Sequence, residues 1–385
     1  MKENSGYIYE SRAGIPVRQK GGYLAFVPKP LPPTPPLKID GTLKNHLKEA
    51  EIALARLEGA AFTLPDTDIF IRLFIRKEAL LSTQIEGTQA SLKGVFVSEA
   101  GAETGENPDD LREVINYILA TEQGIVQLED IQTPAYLQSI HRTLIEGTRG
   151  KNKRPGFFRD VQNYIGRPGS TINEAAFIPP PPEMISGLLN SLMEFFISDS
   201  PEIPHLIKAA LIHVQFETIH PFMDGNGRLG RLLIVLYLCY HRIIINPVLI
   251  LSLYLKEHQE EYYQLLNNVR YEGEWEEFCI FFLKGVSEVS KRALLAIKRI
   301  HILKQDTIRH LSENSVESPS AVGMVDLLFK KPVFTTNDVI SYLDINKQSA
   351  YDLIKIFEDL KIITEITGKK RYKKYLFSDY LTVIE

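Results

Sequence analysis

The twelve residues His220-Pro221-Phe222-Met223-Asp224-Gly225-Asn226-Gly227-Arg228-Leu229-Gly230-Arg231 hold most of the chemistry legible in this chain. His220 can take a proton near neutral pH. Asp224 is a hard oxygen ligand of the kind that bridges a divalent cation to phosphate. Gly225, Asn226 and Gly227 can adopt backbone conformations open to few other residues, and glycine lets a ligand approach the main chain. A helix starting near Arg228 would turn its free N–H groups and the positive end of its dipole toward the same loop. Arg228 and Arg231, three apart, lie near one helical face and add positive charge. A base, a metal ligand, a phosphate nest and two cations together suit phosphoryl or nucleotidyl transfer, in which positioning and charge stabilisation do most of the catalysis.

Such a loop needs helices to hold it. Residues 204–218 read as one, with Ile207, Leu211, Val214 and Phe216 apolar, and Pro221 ends it. Helical periodicity dominates from Asp40 to about Ile300. Leu43, Leu47, Ile52, Leu54 and Leu57 mark one amphipathic stretch. Phe70, Leu73, Phe74, Leu80 and Leu81 mark a second over 69–85, apolar on a further side through Ile71 and Ile75. Further helices are expected at 108–128, 133–147, 183–198, 228–242, 252–268 and 274–300. Residues 161–178 break the rhythm: two extended runs flank Gly166-Arg167-Pro168-Gly169 and read as a β-hairpin, stopped by Pro179 to Pro182.

The ends of the chain differ from this body. Pro28, Pro30, Pro32, Pro33, Pro35 and Pro36 make residues 1–40 an extended arm of polyproline II character. Residues 301–320 read as a polar, partly Ser-rich linker. Residues 321–385 run helix, helix, helix, hairpin, the winged-helix order, with Thr335-Thr336-Asn337 and Asn346 as helix starts. The division expected is an arm at 1–40, a helical region at 41–105, the catalytic body at 106–300, a linker at 301–320 and a winged helix at 321–385. The fold class is mainly α, with one hairpin flap and the C-terminal winged-helix domain.

The 385 residues are 44% apolar, enough for a sizeable core, and the net charge of −4 argues against a protein that coats nucleic acid over its whole surface. The two cysteines, Cys239 and Cys279, lie in apolar helical runs and suit packing thiols of a reducing compartment. Residues 1–22 are polar, without the apolar core of a signal peptide. The apolar run Leu232 to Leu238 is far shorter than the ~20 residues that span a bilayer. A soluble cytoplasmic protein with no membrane partner is expected.

At 220–231 the sequence resembles the Fic-domain family, whose motif reads His-x-Phe-x-(Asp/Glu)-Gly-Asn-Gly-Arg-x-x-Arg; every position matches. The resemblance implies a mostly helical domain with the motif between two helices, and transfer of AMP from ATP to a protein hydroxyl. It implies that His220 deprotonates the acceptor and that Asp224 holds Mg2+. Gly225, Asn226, Gly227, Arg228, Leu229, Gly230 and Arg231 would bind the nucleotide. The segment 161–178 resembles the family's flap, which registers a target by strand pairing, with Pro155-Gly156-Phe157-Phe158-Arg159 as its approach. Tyr254 and Tyr262 fall where such proteins build the adenine pocket. The kinase-like branch carries Lys where this chain has Gly227, and the phosphocholine-transferring branch departs from Gly-Asn-Gly, so AMP transfer is the activity implied.

The helix at 69–86 ends Ser82-Thr83-Gln84-Ile85-Glu86-Gly87, which resembles the inhibitory motif (Ser/Thr)-x-x-x-Glu-(Gly/Asn) of Fic proteins that carry their own brake. Ser82 and Glu86 are four apart, on one helical face, and Gly87 suits the left-handed position after a helix end. The resemblance implies that Glu86 pairs with Arg231 and so keeps ATP in an unreactive pose. Ile145-Glu146-Gly147-Thr148 repeats Ile85-Glu86-Gly87-Thr88, but position 142 is Arg rather than Ser or Thr, so the second copy reads as an ordinary helix end.

Two other functions stay open at this level: removal of AMP with Glu86 activating water, and an ATP-sensing DNA-binding regulator. The partners expected are a target protein with an acceptor hydroxyl, the chain itself as a target, and DNA or a protein at the winged helix. There Lys347, Gln348, Ser349 and Tyr351 open the groove-facing helix, and Lys369, Lys370, Arg371, Lys373 and Lys374 line the wing. A homodimer is compatible with the sequence.

Overall fold

The computed structural model describes residues 11–62, 67–150, 152–167, 169–199 and 202–384. The arm opens on an antiparallel pair, β1 (Gly14–Arg18) and β2 (Leu24–Pro28), in the register Gly14↔Pro28 to Arg18↔Leu24. The proline count of the arm concealed this hairpin. Its signal is the apolar Ala25-Phe26-Val27, all buried, with Phe26 tilted against Phe177 and edge-on to Tyr271. Residues 1–10 of the arm lie outside the described residues.

Eleven helices follow among the described residues: α1 (Gly41–Phe62), α2 (Thr67–Ile85), α3 (Leu92–Glu99), α4 (Pro108–Val126), α5 (Pro134–Ile145), α6 (Ile185–Ile197), α7 (His205–Ile219), α8 (Asn226–Tyr240), α9 (Leu251–Glu257), α10 (Gln259–Glu272) and α11 (Trp275–Glu313). Their starts follow local chemistry. Ser91, Asn107 and Thr133 each accept a backbone N–H at the first turn, and Pro108 and Pro134 sit where no intrahelical donor is needed. Every residue of α7 from Leu206 to Ile219 is buried, so this helix is the centre of the body rather than an amphipathic cover. It packs on α6, α8, α10 and α11, while α1 lies along α11 and α2 wedges between α4 and α9.

Three sequence expectations change. The hairpin at 161–178 is a loop closed by a single antiparallel bridge, Ile165 to Phe177; Pro168 lies outside the described residues. Thr171 and Glu174 bind each other as a capping box and curl 172–174 into a 3-10 turn, which ends any longer ladder. The linker at 301–320 is mostly helix: α11 continues to Glu313 because Ile300, Leu303, Thr307 and Leu311 keep an inward stripe among the polar residues. The helix expected at 252–268 breaks at His258, whose backbone leaves the helical region between α9 and α10. The short α3 gave no periodic signal long enough to read.

The C-terminal module runs α12 (Pro319–Lys330), β3 (Val333–Thr335), α13 (Thr336–Leu343), α14 (Lys347–Asp359), β4 (Thr364–Glu365), β5 (Lys374–Leu376) and α15 (Ser378–Ile384). The expected order of three helices and a hairpin is present, with β3 added so that the sheet runs β3-β5-β4, all antiparallel. Thr335 and Asp338 form a capping box at α13, and Asn346 caps α14. Met324, Leu328, Phe334, Ile354, Phe357 and Tyr375 are buried in this module and join the hydrophobic core of the rest of the molecule. Lys374, expected on the wing, instead donates from Nζ to the Ala100 carbonyl at 2.6 Å, just past the end of α3.

Candidate active site

The turn between α7 and α8 is shaped by its own residues. His220 ends α7 in the left-handed region, φ 49°, and Gly225 is left-handed before α8, φ 76°. The Asn226 side chain closes the turn: Oδ1 accepts from the Phe222 N–H at 2.9 Å and Nδ2 donates to the Phe222 carbonyl at 2.8 Å. Its amide is therefore engaged by the loop, and its main chain is what it offers a ligand. Asp224 Oδ1 accepts from the Gly225 N–H at 2.6 Å and lies 3.4 Å from Arg228. The first N–H to bond back within this helix start is that of Leu229, to the Gly225 carbonyl. The N–H groups before it point out of the helix end toward the loop.

Three residues hold this turn from outside, two of which the sequence did not reveal. Arg159 donates to the carbonyls of His220 at 2.9 Å and Pro180 at 2.5 Å, while its own N–H reaches Pro221. His141 stacks flat on Phe222, ring centroids 3.7 Å apart. Its Nδ1 accepts from the Gly156 N–H, so its proton sits on Nε2 and goes to the Asp224 carbonyl, both at 2.9 Å. Burial pushes the His141 pKa down to about 4, which keeps that tautomer neutral. Glu113 lies 3.7 Å from Arg228 and pairs with Arg149 and the Thr88 hydroxyl. Nothing in the local sequence marks His141 or Glu113. Arg159 falls in the segment read as the flap approach.

His220 presents a side chain 17% exposed. Burial, then the charges of Arg270 and Arg159, push its pKa down to about 3, so the ring is neutral and able to accept a proton. Arg228 is buried beside Glu113, and its Nε and one terminal nitrogen have no hydrogen-bond partner among the described residues. Buried guanidinium atoms without hydrogen bonds suit an anionic ligand, and the half-exposed Asp224 carboxylate beside them suits a cation that travels with it.

Arg231 is almost wholly buried. Its Nε donates to the Ser82 hydroxyl at 2.9 Å, and one terminal nitrogen donates to the Ser82 carbonyl at 2.8 Å and to Glu86 Oε1 at 2.7 Å. Burial alone would lower the arginine pKa, but the Glu86 carboxylate beside it holds it above its ordinary value. Glu86 lies just past α2, its side chain 37% exposed, followed by Gly87 at φ 96°. A Cβ at Gly227 would fall 2.4 Å from Glu86 Oε1 and 3.0 Å from Arg231. The missing side chain at 227 is thus what lets the carboxylate reach the start of α8.

The remaining expected residues divide. Leu229 faces the core, and Gly230 packs where a Cβ would meet Glu217 and Phe216. Tyr254 is not at the loop: it is buried against His258 and Phe281, because α9 turns it toward α11. Tyr262 is buried and bonds His213 at 2.8 Å. Tyr263, which the sequence did not single out, is half exposed, and the charges of Glu86 and Arg231 reach its phenol.

Residues 45–126 match the Fic/DOC family N-terminal model, and residues 131–238 match the Fic/DOC family model, which contains the whole loop. The chain therefore carries a Fic/DOC family N-terminal domain and a Fic/DOC family domain. Among relatives, the protein adenylyltransferase Fic of Aedes aegypti is 30% identical over 271 residues, 65% of this chain and 48% of that protein. The protein adenylyltransferase Fic of Nematostella vectensis is 29% identical over 204 residues, 53% of this chain and 43% of that protein. The chain spans about half the length of these curated relatives. A crystal structure of a Fic family protein from Desulfovibrio desulfuricans G20 aligns with a TM-score of 0.57 at 19% identity, covering 89% of this chain and 97% of that one. This likeness establishes the mainly helical Fic fold. Within the Fic region, the two family models divide between the helix that brings Glu86 and the loop that it contacts. Among the described residues no helix is long and apolar enough to cross a membrane.

Proposed function

We propose that this Fic-domain chain moves AMP from ATP to a side-chain hydroxyl of a protein, itself included, and that Glu86 restrains the activity. The observation that carries this reading is the buried Arg231 held by Ser82 and Glu86 at the head of the phosphate loop. The names of the relatives, protein adenylyltransferase, support the reaction class.

Each residue then has a task. His220, kept neutral by burial, accepts the proton of the acceptor hydroxyl. The main-chain N–H groups from Asn226 to Arg228 and the guanidinium groups of Arg228 and Arg231 receive the phosphates, with Gly225 giving the backbone its left-handed turn. Asp224 holds Mg2+, which neutralises phosphate charge when bound. The loop at 161–178, fixed to the site by Arg159, lays the target segment beside His220. Glu86 occupies Arg231 and the surface over Gly227, so the γ-phosphate cannot take the same place.

The test is incubation of the protein and a Glu86→Gly variant with labelled ATP and Mg2+. Covalent label on the chain or an added target, stronger for the variant, is expected. Nucleotide binding without label from either protein would remove the reading. The half-exposed Glu86 also favours a second one, in which it activates water to remove AMP. A labelled target losing its label faster with the wild type than with Glu86→Gly would select that direction.

The C-terminal module would supply a second partner, nucleic acid or protein. Lys369, Lys370 and Arg371 are exposed together with Tyr372 at the wing tip.

A further inference from the structure

Glu217 stands three residues before His220 in α7, and none of the tasks above uses it. Its side chain is buried, and its Oε2 lies 4.0 Å from His220 Nδ1. Its Oε1 and the His220 Nδ1 are both buried without a hydrogen-bond partner among the described residues. A Cβ at Gly230 would fall 2.5 Å from Oε1, so the carboxylate fills the seam between α7 and the first turn of α8. The groups whose charge reaches it are Arg231 from α8, Arg270 and the Tyr262 phenol from α10, and Glu86 from beyond α2. His220 itself feels the positive charges of Arg270 and Arg159, both of which oppose an imidazolium, while the Glu217 backbone carbonyl favours it.

We propose that Glu217 is a positioning residue for His220: it fixes the Nδ1 edge of the ring and faces the positive charge that the ring acquires on taking the acceptor's proton. This rests on the AMP-transfer reading. In that step the acceptor O–H bond breaks and its proton passes to Nε2 of a ring protonated on Nδ1. The acceptor oxygen forms a bond to the α-phosphorus. The bond from that phosphorus to the bridging oxygen breaks, and pyrophosphate leaves with the electron pair. The ring's new charge arises near two arginines, and a carboxylate 4.0 Å from Nδ1 offsets them at the moment it appears. Asp serves the same office for His in hydrolytic triads, where it orients the ring and stabilises the imidazolium without taking the proton. Burial holds the Glu217 pKa up at about 7, so the carboxylate charge itself is titrated near neutrality.

The experiment compares Glu217→Gln and Glu217→Asp in the Glu86→Gly background, with ATP affinity, kcat and its pH profile measured for each. Glu217→Gln, equal in shape and without the charge, should lower kcat by about tenfold or more while leaving ATP affinity within twofold. Glu217→Asp should recover part of the loss. The rise of kcat with pH that follows ionisation of Glu217 should vanish in Glu217→Gln. An unchanged kcat and pH profile in Glu217→Gln, or a loss of ATP affinity in step with kcat, would overturn the proposal. If Glu86→Gly itself transfers nothing, the AMP reading fails separately. The 15N resonances of His220 then decide: they should move on Glu217→Gln, and identical spectra would overturn the positioning role.

Discussion

Ile85-Glu86-Gly87-Thr88 and Ile145-Glu146-Gly147-Thr148 are the same four residues in nearly the same local structure. Each follows a helix whose last residue is the isoleucine, each glycine is left-handed (φ 96° and 68°), and each threonine is buried. Both lie close to Glu113: Thr88 donates to its carboxylate, and Arg149, next to Thr148, pairs with it. Yet Glu86 reaches Arg231, whereas the exposed Glu146 contributes its carbonyl, which accepts from Asn116 at 2.7 Å. The difference lies four residues earlier and across the gap. Ser82 is small enough for Arg231 to lie against α2 and supplies two of its hydrogen-bond acceptors; Arg142 at the equivalent place of α5 supplies neither. Opposite Glu86 stands Gly227, whereas the glycine beside Glu146 has Arg112 over it. A tetrapeptide fixes how a helix ends; its function comes from what the preceding turn lets approach.

The comparison matters only if the loop turns over, so its hardest test is His220→Ala in the Glu86→Gly background. Transfer should fall by about 10^2- to 10^4-fold with ATP affinity nearly unchanged, measured by label incorporation and calorimetry. Next, Glu86→Gly should raise transfer by about tenfold or more, since removing one partner frees an arginine that was tightly held. Glu146→Gly should stay within roughly twofold of wild type. Activation by Glu146→Gly alone would reverse the assignment of the two sites. Ser82→Ala removes one hydrogen bond to Arg231 while its carbonyl remains. A single bond of about 1 kcal/mol predicts a several-fold rise in transfer, smaller than that of Glu86→Gly. Finally, Gly87→Ala and Gly147→Ala should each lower stability by about 1 kcal/mol in denaturant melts, because both force a side chain into the left-handed region. Equal losses there with unequal effects on transfer would separate the shared backbone from the unshared function.

Much of this was legible before any coordinates. The loop was read from adjacent residues, and adjacency survives folding: His220, Asp224, the glycines and both arginines converge because a tight turn leaves them nowhere else to go. Ser82 and Glu86 were legible because a helix puts them on one face. What sequence reading missed depends on distance. His141 meets Asp224 across 83 residues, and Glu113 meets Arg228 from another helix. Tyr254 was placed by analogy of position, and its ring packs on His258 and Phe281, neither of which its neighbours in sequence announce. The flap was expected as strands from its apolar runs, but a side-chain cap at Thr171 outweighed the pattern. Polarity at 301–313 suggested a linker, although every third or fourth residue still pointed inward.

That last stretch has a consequence for partners. Helix α11 has 39 residues, a rod of about 58 Å. Its first half lies in the catalytic body and its far end leads directly into the C-terminal module, which is also tied down by Lys374 at Ala100. Anything held by that module stands at a fixed range and bearing from His220. With a floppy linker, effective concentration declines gradually with length; with a rod it is a step function of the cargo's own dimensions. Under the proposed transfer, a cargo whose hydroxyl lies at the matching span would be delivered at high local concentration, and one a helical turn too short would never arrive.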